Sequence, residues 1–534
     1  MDDSATDLPA EEPSTENVSR GERPAGGIEI VLAALAIPAL LRSMLLIADR
    51  QNVLMGHGLW YDEIVTWTLA NDPQLGRPIE AIRGAFDANP PTLAILLRPI
   101  AQNFGSGPEP LRWAMLAAMG VAMLGAYVLL RRVAGPLAAA AGALVIWASP
   151  LGMGQAFEPR FYMPLLAATA WVGVFSPAVW RSEPGVGRIV GRLLFAATAA
   201  FACALHYFGI VGVGLLMLPQ LFAHRRTLFS KEGGWVGRWL ALLAGPLALL
   251  ACFYFLLAQR DFRGGVTWMA DKPIREMPDY IARITLDWAL APVLIGLAVG
   301  VAVSPGTRTR PARPLTAELR GALLLVLMPT FLMAFTLLLQ PATQPRYGIV
   351  MLLGLAAISA LVLRHGGRLA SVLAIVGLLG FSAMGLRDLV RAAPGELSRD
   401  ATFAARVQQA ADTGLPTLFV RHQNALEYSY DLARRPDGTA SFFPDDPATR
   451  VLVLDLAKLD RAAWADHRVE NDVFMQLGYE AGYADAPGGP HRANPPGRGE
   501  SFCLVNADWL DLTAAFPNHN ARRVNPNVVR LDPK

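Results

Sequence analysis

The sequence predicts an all-α polytopic membrane domain followed by a soluble α/β domain. Three observations carry this. Only 17% of the 534 residues are charged and 53% are hydrophobic, whereas a soluble domain carries roughly 25% charged residues. The apolar residues gather into repeated runs of about 17–23, long enough to cross a bilayer as helices. From residue 388 onward the composition returns to that of a soluble chain, so the apolar excess belongs to the first part.

Residues 1–27 are acidic and rich in Ser, Pro and Glu. With almost nothing to bury, they read as a disordered cytoplasmic tail. A cleavable signal peptide would open with a basic segment followed directly by an apolar one, so the run at 28–48 is expected to be retained as a transmembrane helix. A polar stretch, 49–90, follows. Residues 91–104 are apolar but short, and Pro99 interrupts them, which suits a re-entrant or juxtamembrane helix. Further spans are expected at 111–131, 136–152, 161–180, 189–205, 207–223, 236–258, 285–304, 319–340, 346–363 and 368–386, about eleven crossings in all. The transmembrane domain is thus 28–387.

Basic residues orient the chain. With the N-terminus in the cytoplasm, the inner connections hold Arg131 and Arg132, then Arg181, Arg188 and Arg192, then Arg225 and Arg226, then Arg308, Arg310, Arg313 and Arg320, and last Arg364 and Arg368. The alternation survives the whole chain only if 91–104 does not cross. An odd number of crossings then puts residues 388–534 outside. In that part, 416–421, 450–455, 501–505 and 527–531 read as short buried strands, and 401–411 and 456–466 have helical character. A small α/β domain of about 140 residues results, with a loop at 485–499 rich in Pro and Gly.

Several function classes fall away early. A net charge of +3 is too small to argue for nucleic acid. Cys203, Cys252 and Cys503 have neither disulfide nor zinc spacing. No glycine-rich nucleotide fingerprint follows any strand. The partners expected of such a chain include membrane lipids.

The stretch Trp60-Tyr61-Asp62-Glu63 lies just past the first span, flanked by aromatic residues that suit the interface. A carboxylate there could take the proton from an attacking hydroxyl. The same two acids also suit a plain helix start, where they meet its positive end. Glu158, Arg160 and Arg346 fall at outer span ends, and arginine offers planar, permanently charged donors to phosphate oxygens; snorkelling to headgroups is the alternative for both arginines. His206 interrupts an apolar stretch, which is expensive at membrane depth, yet it could simply cap the break. Arg83 and Asp87 precede an Asn-Pro-Pro turn and could line the same cavity or be solvated. The charged loop 259–284 could act as a lid or contact the acceptor, or be simply a wet surface. Asp62 and Glu63 could contribute hard oxygen ligands to a divalent cation, although no second acidic pair completes such a site; no metal cluster has persuasive spacing.

Five motifs in order resemble the GT-C membrane glycosyltransferases that use polyprenyl-phosphate-linked sugars, the group holding the protein O-mannosyltransferases and the lipid A aminoarabinose transferases. They are Trp60-Tyr61-Asp62-Glu63, Asn89-Pro90-Pro91-Thr92, Glu158-Pro159-Arg160-Phe161-Tyr162, His206-Tyr207 and Arg346-Tyr347. The likeness runs over roughly residues 28–390, and each motif alone is short. Asn89 stands where the family usually has His, and the Leu-Tyr that often follows is absent. The resemblance implies a GT-C fold and transfer of a hexosyl or pentosyl group from a polyprenyl-phosphate donor to a lipid, protein or polysaccharide acceptor. Asp62 would be the base and Glu63 would orient it or the acceptor. Arg160, Arg346 and Tyr347 would hold the donor phosphate, and Tyr61, Asn89, Glu158, Tyr162, His206 and Tyr207 would line the cavity. The implied location is the inner (plasma) membrane, with the site and the last domain extracytoplasmic. The rival readings are a flippase for a lipid-linked glycan, which needs no base, and a non-catalytic envelope scaffold.

Overall fold

The structure, a computed structural model, describes residues 27–56, 58–71, 75–83, 87–105, 107–231, 234–258, 288–303, 315–338, 344–411, 413, 415, 417–419, 451–453, 501–505 and 519–534. The N-terminal tail before Gly27, the loop 259–284, the basic residues 308–313, the helix expected at 456–466 and the loop 485–499 lie outside the described residues.

Among the described residues, each expected span is largely helical. The helices begin with α1 (Gly27–Ala48), α2 (Val53–Gly56), α3 (Tyr61–Asn71), α4 (Gly76–Arg83) and α5 (Thr92–Phe104). They continue with α6 (Pro108–Ala134), α7 (Pro136–Ala148), α8 (Pro150–Gln155), α9 (Tyr162–Phe175), α10 (Pro177–Trp180), α11 (Val186–Leu205) and α12 (Gly209–Ala223). Last come α13 (Arg225–Leu228), α14 (Trp235–Ala258), α15 (Leu290–Val303), α16 (Ala317–Leu324), α17 (Met328–Leu338) and α18 (Met351–Ala411). Among the described residues, seven helical stretches are long and apolar enough to cross a membrane, and α7, α12 and α15 are shorter apolar helices. Proline opens α6, α7, α8 and α10, where its missing N–H costs no helix bond. The long α18 holds both of the last two expected spans and breaks at Gly367 (φ 77°, ψ −165°), a conformation that a Cβ would oppose.

The bundle is apolar inside and apolar outside. The side chains of α7 are buried from Ala141 to Ala148, and it packs against α18 so closely that a Cβ on Gly142 would lie 2.6 Å from the Ala356 carbonyl oxygen. Small residues at such crossings let backbones approach in lipid. Leu32, Leu35, Leu240, Leu250 and Leu294 meanwhile face outward. Exposed leucine over several helices fits a lipid surround, not water. This is a multi-pass membrane protein.

Two contacts fix how the first helices run. Glu29 at the start of α1 pairs with Arg131 near the end of α6. Arg112, near the start of α6, donates to the Met55 carbonyl just beyond the end of α1 (3.1 Å). The two helices are therefore antiparallel, so the segment between them leaves and returns at one end of the bundle, as a non-crossing α5 requires. At the opposite end, Arg132 donates to the Val174 carbonyl and Arg192 to those of Val179 and Arg181, as basic residues at a span terminus should.

After α18 come β1 (Thr417–Phe419), β2 (Val451–Val453), β3 (Phe502–Val505), β4 (His519–Asn525) and β5 (Val528–Pro533), in the sheet order β2-β1-β3-β5-β4. The first three are parallel, and β5 pairs antiparallel with both β3 and β4. Four strands match the expected segments and β4 is additional. The change expected at residue 388 falls inside α18, whose last turns reach the sheet: Arg406 donates to Asn527 Oδ1 (2.7 Å) and accepts at its carbonyl from Asn525 (3.1 Å).

Candidate active site

The site begins with how α3 starts. Glu63 occupies the third position of the helix, and its Oε2 accepts the Trp60 N–H (3.0 Å), the back-reaching half of a capping box. That bond turns Glu63 into the protein. The Arg112 guanidinium lies 3.4 Å from the same oxygen, with both side chains buried. Arg112 also donates to the carbonyls of Met55 (3.1 Å), Gly58 (3.0 Å) and Phe157 (3.2 Å). One side chain therefore ties the α1–α3 connection to the turn before α9. Burial pushes the Glu63 carboxyl up to about 8, with the Arg112 charge opposing the shift.

Asp62 points elsewhere. Successive helical residues diverge by about 100°, and the Asp62 carboxylate instead meets Arg346, with Oδ2 accepting from a terminal guanidinium nitrogen at 2.9 Å. The Arg346 guanidinium lies over the Trp60 ring (4.8 Å to the centroid) and near the Tyr162 ring (5.9 Å). Stacking of this kind fixes a guanidinium plane while leaving its edge available.

A second arginine is held more fully. Arg160 donates to Asp87 Oδ2 (3.0 Å), to the Thr66 hydroxyl (2.9 Å) and to the Asp62 carbonyl (3.0 Å). Asp87 is held in turn by Asn89, whose backbone N–H (3.1 Å) and side-chain amide (2.6 Å) both donate to Oδ1. Arg160 is buried, yet the Asp87 and Asp62 charges raise its already high proton affinity further. A small cavity lined by Thr66, Asp87, Asn89 and Arg160 opens beside this chain of bonds.

Glu158 Oε1 accepts from the Gln155 amide (2.9 Å), while its Oε2 is buried without a hydrogen-bond partner. Burial raises this carboxyl, against the nearby Arg346. His206 ends α11. Its Nδ1 accepts the Phe208 N–H (3.1 Å) and its ring stacks on Phe161 at 4.0 Å. Burial, aided by Arg160, pushes this imidazole down to about 3, so it is neutral and carries its proton on Nε2. Tyr347 packs at 5.5 Å from His206 and 6.5 Å from Tyr162. Tyr207 keeps a buried hydroxyl without a partner. The Tyr61 side chain lies outside the described residues.

The five sequence motifs thus meet at one end of the bundle, although they stand up to 284 residues apart. Two important residues are less visible in the sequence. Asp87 is as compatible with solvent as with a site there, and Arg112 resembles any basic residue near the start of a span. A charge just inside an apolar helix is the signal that could have found it. Among the described residues no group of three His, Cys, Asp or Glu could hold a metal. Asp62 and Glu63 are directed at different arginines.

No family model matches the chain, and no curated protein matches it. Among solved structures it is similar to ArnT from Cupriavidus metallidurans in the apo state, at 16% identity and a TM-score of 0.50, over 95% of this chain and 98% of that one. ArnT from the same organism bound to undecaprenyl phosphate gives 15% identity and 0.49, with the same coverage. The oligosaccharyltransferase AglB from Archaeoglobus fulgidus, in complex with an inhibitory peptide and a dolichol-phosphate, gives 10% and 0.46 over 93% of this chain and 73% of that one. The apo ArnT match shows a shared fold.

Proposed function

We propose that this chain is a membrane glycosyltransferase that moves a sugar from a polyprenyl-phosphate donor to an acceptor on the extracytoplasmic face. The observation that carries the reading is the Asp62–Arg346 pair, which sets a carboxylate able to take a proton beside a guanidinium able to bind phosphate. The fold shared with ArnT supports it. In the reaction, the acceptor hydroxyl oxygen bonds to the anomeric carbon as the bond from that carbon to the phosphate oxygen breaks. The electron pair leaves with the polyprenyl phosphate, and the hydroxyl proton passes to Asp62. Arg346 faces the charge that grows on the leaving phosphate, where a fixed cation contributes most. One direct displacement inverts the anomeric centre.

Around that step, Arg160 adds positive charge while Asp87 and Asn89 hold it in place. Glu63 acts behind Asp62 by fixing the start of α3. The spare oxygen of Glu158 is suited to accept a hydrogen bond from the acceptor, and the rings of Tyr162, His206 and Tyr347 offer an apolar wall. Hexosyl and pentosyl donors both fit this chemistry, as do lipid, protein and polysaccharide acceptors.

The test is to supply the protein in proteoliposomes with a labelled polyprenyl-phosphate sugar and an envelope acceptor extract, and to measure free polyprenyl phosphate. Release by the native protein and none by Asp62→Asn is the expected result. A flippase would leave the glycosidic bond intact, so unchanged donor with both proteins would overturn the reading.

A further inference from the structure

Three arginine–carboxylate pairs surround the start of α3, and they differ in how firmly each arginine is committed. The Arg112–Glu63 pair is 0% and 1% exposed, and its arginine has three carbonyls besides. The Arg160–Asp87 pair is 6% and 11% exposed, and its arginine also holds a hydroxyl and a carbonyl. The Arg346–Asp62 pair is 18% and 23% exposed and rests on one hydrogen bond. The Arg346 Nε is moreover buried without a hydrogen-bond partner, a donor left over by its present contact. A spare donor on a guanidinium that is stacked but singly bonded is a site for a second anion.

We propose that Arg346 is a latch that exchanges Asp62 for the phosphate of the donor, so that the base is released by the substrate on which it acts. The phosphate identity rests on the glycosyltransferase reading above. While Oδ2 of Asp62 accepts from Arg346, that oxygen is not open to a hydroxyl proton. A phosphate that draws the guanidinium edge across the Trp60 and Tyr162 rings frees it. As the glycosidic bond breaks, the phosphate gains charge and the exchange is driven further. Donor binding thereby opens Oδ2 to the acceptor hydroxyl, so the whole carboxylate is available only once the donor is in place.

The latch makes an unusual demand: losing the base should tighten phosphate binding. Undecaprenyl phosphate is titrated into nanodisc-held native protein, Asp62→Asn, Arg346→Gln and the double variant, and binding is followed by tryptophan fluorescence. Asp62→Asn should bind about twofold to fivefold more tightly than native, the factor for a partly exposed ion pair. Arg346→Gln should bind about tenfold more weakly, as expected for loss of a charged hydrogen bond. The double variant should match Arg346→Gln. An equal gain from Asp62→Asn in both backgrounds would show simple charge removal and overturn the latch, as would no gain while the native protein binds. Absence of binding by all four proteins would overturn the polyprenyl-phosphate reading as well. If the release assay succeeds while these affinities fail to follow the pattern, the latch alone is lost.

Discussion

Asp62 and Glu63 are neighbours in sequence and carry the same functional group, yet they serve different parts of the molecule. Glu63 is sealed behind α3 against Arg112 and a backbone N–H. Asp62 is open enough for a substrate to reach, against an arginine from the far side of the fold. The difference comes from one step along a helix. About 100° of rotation is enough to send one carboxylate into the frame and the other into the cavity. An acidic pair at such a position is thus a hinge between scaffold and chemistry, and only one member need be catalytic.

Substitutions can break that contrast at either side. The largest effect is expected for Asp62→Asn, which should lower the rate of transfer by about a thousandfold or more with an unchanged thermal midpoint. Arg112→Met should do the reverse, costing about 3–5 kcal/mol of stability because buried partners are orphaned. Heat denaturation in detergent would read it, and a midpoint like that of the native protein would remove Arg112 from the frame. Asp87→Asn sits between the two. It should loosen Arg160 and reduce transfer about tenfold to a hundredfold without gross loss of stability, as measured by the same pair of assays.

The smallest effect is expected for Glu63→Gln, which keeps an acceptor for Arg112 and Trp60 and should change stability at neutral pH by no more than about 1 kcal/mol. Its signature is in pH. The folded Glu63 carboxyl stands at about 8 against the usual 4.5, so it binds its proton more tightly in the folded protein. Its contribution to stability is complete below about 4.5 and is lost as pH rises through about 8. The native midpoint should therefore fall over that window relative to Glu63→Gln. Parallel curves would show that Glu63 does not titrate there.

Much of this was legible in the sequence because the physics is one-dimensional. Hydrophobic run length gives spans such as α6 and α14, and the basic residues at Arg131 and Arg192 give their alternation. The strands Phe502–Val505 and Val528–Pro533 announce themselves as buried apolar runs. What stayed hidden depends on partners. β4, with the sequence HNARRVN, has no apolar alternation and is a strand only because β5 offers it a hydrogen-bonding edge. Asp87 becomes a site residue through Arg160, which is 73 residues away. Asn89, where the resembled family has His, is explained by the carboxylate that it clamps. Glu63 could be paired with Arg112 only once α6 was folded back beside α1.

The Asp62–Arg346 contact joins positions 284 residues apart, and this has a consequence for synthesis. At about 5–20 residues per second, a ribosome needs roughly 15–60 s to travel from one to the other. Through that interval Trp60 and Asp62 have left the ribosome without the guanidinium that will stack on one and bind the other. A chain cut short before Arg346 carries four of the five motifs and lacks the guanidinium that meets Asp62. The last helices to be made thus supply the partner that the first loop lacks until then.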